Sequence, residues 1–411
     1  MAFQHALSGL NAASKNLDVI GHNIANASTT GFKSSRTEFA DLVASSMGSG
    51  GGGDYGIGVE AATVAQQFSQ GNVNVTGNNL DVAINGNGFF KVMQTDGTPA
   101  YTRAGNFKLD KVGDLVTNGG AQVMGFKVDS TTGLSTSEPA PLSFPTGAPI
   151  GAKQTANVKA TFNLDARQRE AASTTPPTPR STYGTSLNVY DSQGVPQPVS
   201  FYFVKTANPN EWEFYTTLDE TMQPPGSPVG TVTFDGNGEI ISGGGFAMNI
   251  STAPANPNSP VPGPDFNVNF DFSDVTQFGS KFAVSDLTQD GYTSGQLTNI
   301  NISNDGMVMA AYSNGVTRAE AQVALANFRN PQGLLAVGGN NWVESFDSGA
   351  AVLGKPGDGN FGALRSGALE DSNVDLTAEL VNMMTAQRAY QANAQTIKTQ
   401  DQVMSTLVNL R

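Results

Sequence analysis

Apolar residues recur every third or fourth position at both ends of the chain and on alternate positions between them, so the period of the pattern divides the sequence. From Asn373 to Arg411, Leu376, Leu380, Met383, Tyr390, Ala394, Ile397, Met404 and Val408 share one helical stripe, interrupted by Gln387 and Asp401. No Gly or Pro breaks the run, Ser372 or Asn373 offers a capping oxygen, and Asp375 and Glu379 sit near the positive end. Fully formed, the helix is about 55 Å long. Val403, Leu407 and Leu410 widen the apolar surface towards its end, which predicts contacts on more than one side. From Ala2 to about Ala27, Phe3, Leu7, Leu10, Leu17, Ile20 and Ile24 predict a second amphipathic helix, closed by Asn26, Ser28, Thr29, Thr30 and Gly31. Neither helix buries enough by itself to offset the entropy of ordering it. The two can pair side by side as a coiled coil, and both need further partners; a C-terminal helix folded onto its own domain is the alternative.

Between the ends the pattern turns to short alternating strands. From Gly71 to Phe144 these are punctuated by Asn85-Gly86, Asn87-Gly88, Asp96-Gly97 and Asn118-Gly119, dipeptides suited to tight hairpins. Most of the 21 prolines fall between Pro139 and Pro264, amid strand-like runs such as Val199–Val204 and Glu211–Tyr215, which marks a separate β domain inserted into the first. Alternation resumes after Leu287, with turns at Asp305-Gly306 and Asn314-Gly315. The fold class is therefore mainly β, with domains nested by insertion and long helical termini. Expected units are 1–30 with 367–411 (helical), 31–70 (a connecting arm), 71–145 with 284–366 (a split β domain) and 146–283 (the insert). The arm is expected to hold a short helical piece from Arg36 to Ser46 and a flexible glycine run from Gly48 to Gly53.

Composition narrows the chemistry. The chain has 411 residues with 47 Gly and no Cys, which removes disulfides and thiolate metal sites, and its two histidines leave little for a metal centre or a triad. A net charge of −13 argues against nucleic acid. No stretch is long and apolar enough to span a membrane, and MAFQHALSGL lacks the features of a cleavable signal peptide. Asp235–Glu239 resembles a calcium loop only in part, because Ile240 and Phe246 stand where Gly and Glu are required; a hairpin turn fits better. Arg103 reads as a structural arginine rather than a ligand clamp. Carboxylates are scattered singly, no serine sits in a nucleophile elbow, and His5 and His22 both lie in the first helix. The expectation is a non-enzyme with no cofactor and no metal.

The residues become specific at His22-Asn23-Ile24-Ala25-Asn26-Ala27-Ser28-Thr29-Thr30-Gly31-Phe32-Lys33, which resembles the N-terminal signature of the bacterial flagellar rod and hook proteins. Leu380–Met384, Ala386–Asn393 and Gly367–Leu376 resemble the same family, as do Gly88–Val92, Tyr101–Phe107 and Leu115–Gly120. The resemblance covers about two thirds of the chain. The Pro-rich insert matches in position and character, and its size points to the hook branch, with a distal rod or other axial protein as the alternative. It implies a helical polymer, a curved hollow tube in which terminal helices line an export channel, the split β domain forms a middle layer and the insert lies outermost. Implied partners are other copies, the distal rod protein, the hook cap protein, the hook–filament junction proteins and the flagellar export apparatus, with an extracellular location. Phe39-Ala40-Asp41-Leu42-Val43 resembles the Phe-x-x-x-hydrophobic element read by the export gate, through Phe39 and Val43; a small amphipathic turn packed on the domain below explains it as well. A rival of another class, a secreted β-rich adhesin with coiled-coil ends, predicts a signal peptide and a membrane anchor.

Overall fold

The computed structural model describes residues 2–43, 56–129, 135–144, 147–171, 183–218, 221–223, 227–250 and 265–409. Two long helices flank a mainly β interior. Helix α1, Ala2–Ala25, and helix α2, Leu376–Asn409, lie side by side within one compact unit. Helix α1 stops where Asn26 turns its amide back onto the His22 carbonyl (2.9 Å) and Gly31 takes a left-handed conformation (φ 70°). The cap of α2 is Asp375, whose Oδ1 accepts from the amides of Thr377 (2.9 Å) and Ala378 (3.2 Å). Ser372 and Asn373, the caps expected, are used otherwise: Asn373 accepts from Ser34 N (2.7 Å) and donates to Gln67 O (2.7 Å), stitching the two chain ends together.

The arm differs from expectation. In place of a helical piece, strand β1, Ser35–Val43, pairs antiparallel with strand β2, Gly56–Gln66, from Ser35↔Gln66 to Val43↔Gly56. A helix that short leaves most of its amides without partners. An eleven-residue partner carrying Ile57, Val59, Thr63 and Val64 supplies a full ladder instead. Helix α1 packs on this ribbon: His5 Nε2 donates to Gly56 O (2.8 Å), and Ser8 Oγ accepts from Val59 N (3.3 Å). The glycine run Gly48–Gly53 lies outside the described residues.

The same unit holds a 13-stranded sheet whose strands come from both sides of the insert. Thr317–Val323 pairs with Gln122–Lys127 and Leu325–Asn327 with Phe89–Met93, so neither half is complete alone. Phe89, Tyr101, Phe328, Leu334 and Trp342 form an aromatic cluster on it. The second unit comprises Ala148–Thr298 and Tyr312–Val316. Its five- and six-stranded sheets face each other across a core that includes Phe162, Phe201, Phe203, Trp212, Phe214, Phe270 and Phe272. Its downstream boundary falls later than the expected 283, because Ala283–Gln289 pairs with Asn157–Asp165 (Thr161↔Asp286) and so extends an insert sheet. Asp235 closes a hairpin by accepting from the amides of Asn237 and Glu239, with Gly238 left-handed. Pro176–Pro179 and Pro224-Pro225 lie outside the described residues.

Candidate assembly site at the chain ends

The geometry of the two helices is fixed at two levels. Near the base, the fully buried Asn23 donates to Ser35 O (2.8 Å) and to Glu379 Oε1 (3.2 Å), while its Oδ1 accepts from Ser35 N (2.9 Å). One side chain thus joins α1, β1 and α2. Higher up, Gly9 stands so close to Asn393 that a Cβ there would lie 2.8 Å from its amide nitrogen. Asn23 opposite Glu379 and Gly9 opposite Asn393 define an antiparallel pair in constant register.

The more covered residues of α2 are Glu379, Met383, Ala386, Asn393, Ala394, Ile397 and Gln400, of which Ala386 is buried. Their four-and-three spacing is that of a coiled-coil seam, narrowed by small residues. On α1 the buried apolar positions are Ala6, Ala12, Ala13 and Ile20. Small side chains on both helices let the backbones approach closely. Carried to Ala2, the register reaches Gln400, so Asp401–Asn409 runs on beyond α1, and every described side chain from Asp401 to Thr406 is exposed.

Where the helices meet the β domain, three charged side chains are buried together. Glu370 Oε1 accepts from Lys33 Nζ (2.6 Å) and Gly71 N (2.9 Å), and its Oε2 accepts from Arg103 Nη1 (3.1 Å). Lys33 also donates to Ser69 O (2.7 Å), and Arg103 donates to Gly86 O (2.9 Å) with its guanidinium over the Phe89 ring at 5.3 Å. Arg103 Nε is buried without a partner. Two cations share one carboxylate, and burial pulls the pKa values of both Lys33 and Arg103 below their ordinary range, with Glu370 pushing back. Gly31 fits against this cluster only as glycine: a Cβ would lie 2.6 Å from Ala104 N.

No group of His, Cys, Asp and Glu suited to a metal ion occurs among the described residues, and no described helix is long and apolar enough to cross a membrane. What the ends present instead is a pair of packed helices with exposed apolar side chains on α2. The comparisons with known proteins agree on the kind of protein. Residues 3–33 match the family described as flagella basal body rod protein, 83–159 the flagellar hook protein FlgE/F/G D1 domain, 163–292 the flagellar basal body protein FlaE D2 domain, and 365–410 the flagellar basal body rod FlgEFG protein C-terminal region. The flagellar hook protein FlgE of Escherichia coli K12 is 42% identical over 418 residues, covering 100% of both chains. The chain belongs to the flagellar hook protein family.

A more distant hook protein, FlgE of Treponema pallidum, is 33% identical over 98% of each chain. The fold of the Helicobacter pylori flagellar hook protein FlgE2 matches 72% of this chain and 100% of that one, with a TM-score of 0.52 at 16% identity. In this hook-family chain the signature residues cluster at the base of the helices. Asn23, Phe32 and Lys33 are buried, Ile24 and Asn26 are half-buried, Ala25 is exposed, and the Thr30 carbonyl accepts from Asn340 Nδ2 (2.9 Å). Of the helix residues expected to mediate assembly, Ile20 is buried and Leu10, Leu17, Met383 and Ile397 are half-buried between the helices or on the ribbon. Phe3, Leu7, Leu376, Leu380, Tyr390 and Met404 are not covered; Leu380 is 51% and Met404 57% exposed. Within the single subunit, then, Glu379, Met383, Ala386, Asn393, Ala394 and Ile397 are the more covered positions of α2, while Leu376 and Leu380 stay exposed. Phe39 lies on β1 and is 44% exposed. The side chains of Val43 and Leu407, and Leu410 altogether, lie outside the described residues. Glu370, Arg103 and Gly9 were not singled out as assembly residues from the sequence. Only the run of small residues at Ala6, Gly9, Ala12 and Ala13 signals the close helix contact.

Proposed function

We propose that the protein is the non-enzymatic structural subunit of a flagellar hook, polymerising helically into a curved hollow tube that joins rod to filament as a universal joint and transmits motor torque. The observation that carries this reading is the apolar surface left on α2. Leu376, Leu380, Val381, Met384, Val403 and Met404 point away from α1, and the last turns of the helix extend past it. In water such a helix leaves several hundred Å² of apolar surface uncovered. A second copy supplies a matching helix, and repeated head-to-tail contacts generate an open helical assembly. Further partners on this reading are the distal rod protein, the hook cap protein, the hook–filament junction proteins and the export apparatus, which reads Phe39 and Val43 before β1 forms. The subunit works extracellularly in the flagellum. Electron microscopy of the concentrated purified protein tests the core of the proposal. Hollow tubes of uniform diameter are expected; a protein that stays monomeric under all conditions overturns it.

A further inference from the structure

The buried Glu370 sits where four passes of the chain come together: residues 31–33 leaving α1, residues 69–71 leading from β2 into the β domain, Arg103 of that domain, and Glu370 itself on the way into α2. It grips all of them, because its backbone carbonyl also accepts from Gly31 N (2.8 Å). Stability alone does not account for such a cluster, since burying two cations around one carboxylate costs more in desolvation than a packed apolar trio of the same volume. Charge-assisted hydrogen bonds do supply direction, which apolar packing lacks. Lys33 and Arg103 approach different oxygens of one planar carboxylate, and each goes on to a carbonyl of a separate segment, Ser69 or Gly86.

We infer that Glu370, with Lys33 and Arg103, is a positioning clasp that holds side by side the points where α1 and α2 leave the β domain, so that the free subunit presents two paired helix stubs before any neighbour orders the rest. Presetting this geometry removes part of the ordering entropy from the association step. The clasp deepens the assembly reading and rests on it for its use, but it is tested on the free subunit, whether or not tubes form. The chain has no cysteine, so Ser28→Cys and Thr377→Cys, both at exposed positions beside the helix exits, take a unique pair of spin labels. The inter-label distance distribution is expected to be narrow in the parent protein. It is expected to be broad when Lys33→Met, Arg103→Met and Glu370→Leu replace the cluster with apolar side chains, while the cooperative melt of the β domain is kept. Equal widths in the two proteins overturn the clasp, as does a broad distribution in the parent. Should the apolar trio fail to melt cooperatively, Arg103→Lys decides. It keeps the charge but cannot reach both Glu370 and Gly86, so broadening supports the clasp and an unchanged narrow distribution overturns it.

Discussion

Replacing Glu370 by Gln and Lys33 by Met should have unequal costs, although the two side chains form the same ion pair. Glu370→Gln keeps the size and an acceptor for Gly71 N, but it removes the single anion of the cluster and strands Lys33 and Arg103 as buried cations. Breaking a buried pair in this sense costs about 3–5 kcal/mol. Lys33→Met leaves a balanced Arg103–Glu370 pair and loses the bonds of one ammonium group to Ser69 O and Glu370, a loss of about 1–3 kcal/mol. Trp342 sits in the β-domain cluster and Trp212 in the insert core, so emission from Trp342 in a Trp212→Phe background follows the unit that carries the clasp. For a unit of this size the larger loss lowers its midpoint by roughly 6–20 °C. The double variant should be less destabilised than the sum of the singles, by about 0.5–3 kcal/mol, because removing Lys33 removes half of the stranded charge. A Lys33→Met protein as damaged as Glu370→Gln, or strict additivity, refutes the charge-balance argument.

Gly31→Ala forces a left-handed alanine against the Ala104 backbone, and denaturant unfolding should register a loss of about 2–4 kcal/mol. Because burial lowers the Lys33 pKa, the native state binds fewer protons than the unfolded chain up to the ordinary lysine value of 10.5; wild-type stability should therefore rise relative to Lys33→Met as pH climbs through that window, measured by urea melts at stepped alkaline pH. Ile397→Asp puts a carboxylate into the α1–α2 seam and should abolish tube formation in electron micrographs while leaving the Trp342 midpoint in place. Limited proteolysis should trim the ends of the free subunit and spare them in tubes, since the exposed apolar face of α2 is covered there alone.

Local sequence determined the elements whose cause is local. A helical period with no Gly or Pro gives α2 from Leu376 to Asn409, and Asn26 with Gly31 stops α1, because these choices depend on neighbours within a turn or two. Turn dipeptides likewise placed glycines with positive φ at Gly86, Gly88, Gly97, Gly306 and Gly315. Tertiary structure decided whatever depends on a distant partner. The stretch from Arg36 is expected to begin a short helical piece, and the ladder offered by β2 made Ser35–Val43 a strand instead. The strand at Ala283–Gln289 alternates like its successors, yet its pairing with Asn157–Asp165 assigns it to the insert. Apolar periodicity marks a face of α2 that wants cover, but the close approach of the helices lies at Gly9, opposite Asn393, and a glycine has little hydrophobicity to announce it. Lys33 and Glu370 are 337 positions apart and each reads alone as an ordinary surface charge; burial made them a pair, and no local pattern encodes burial.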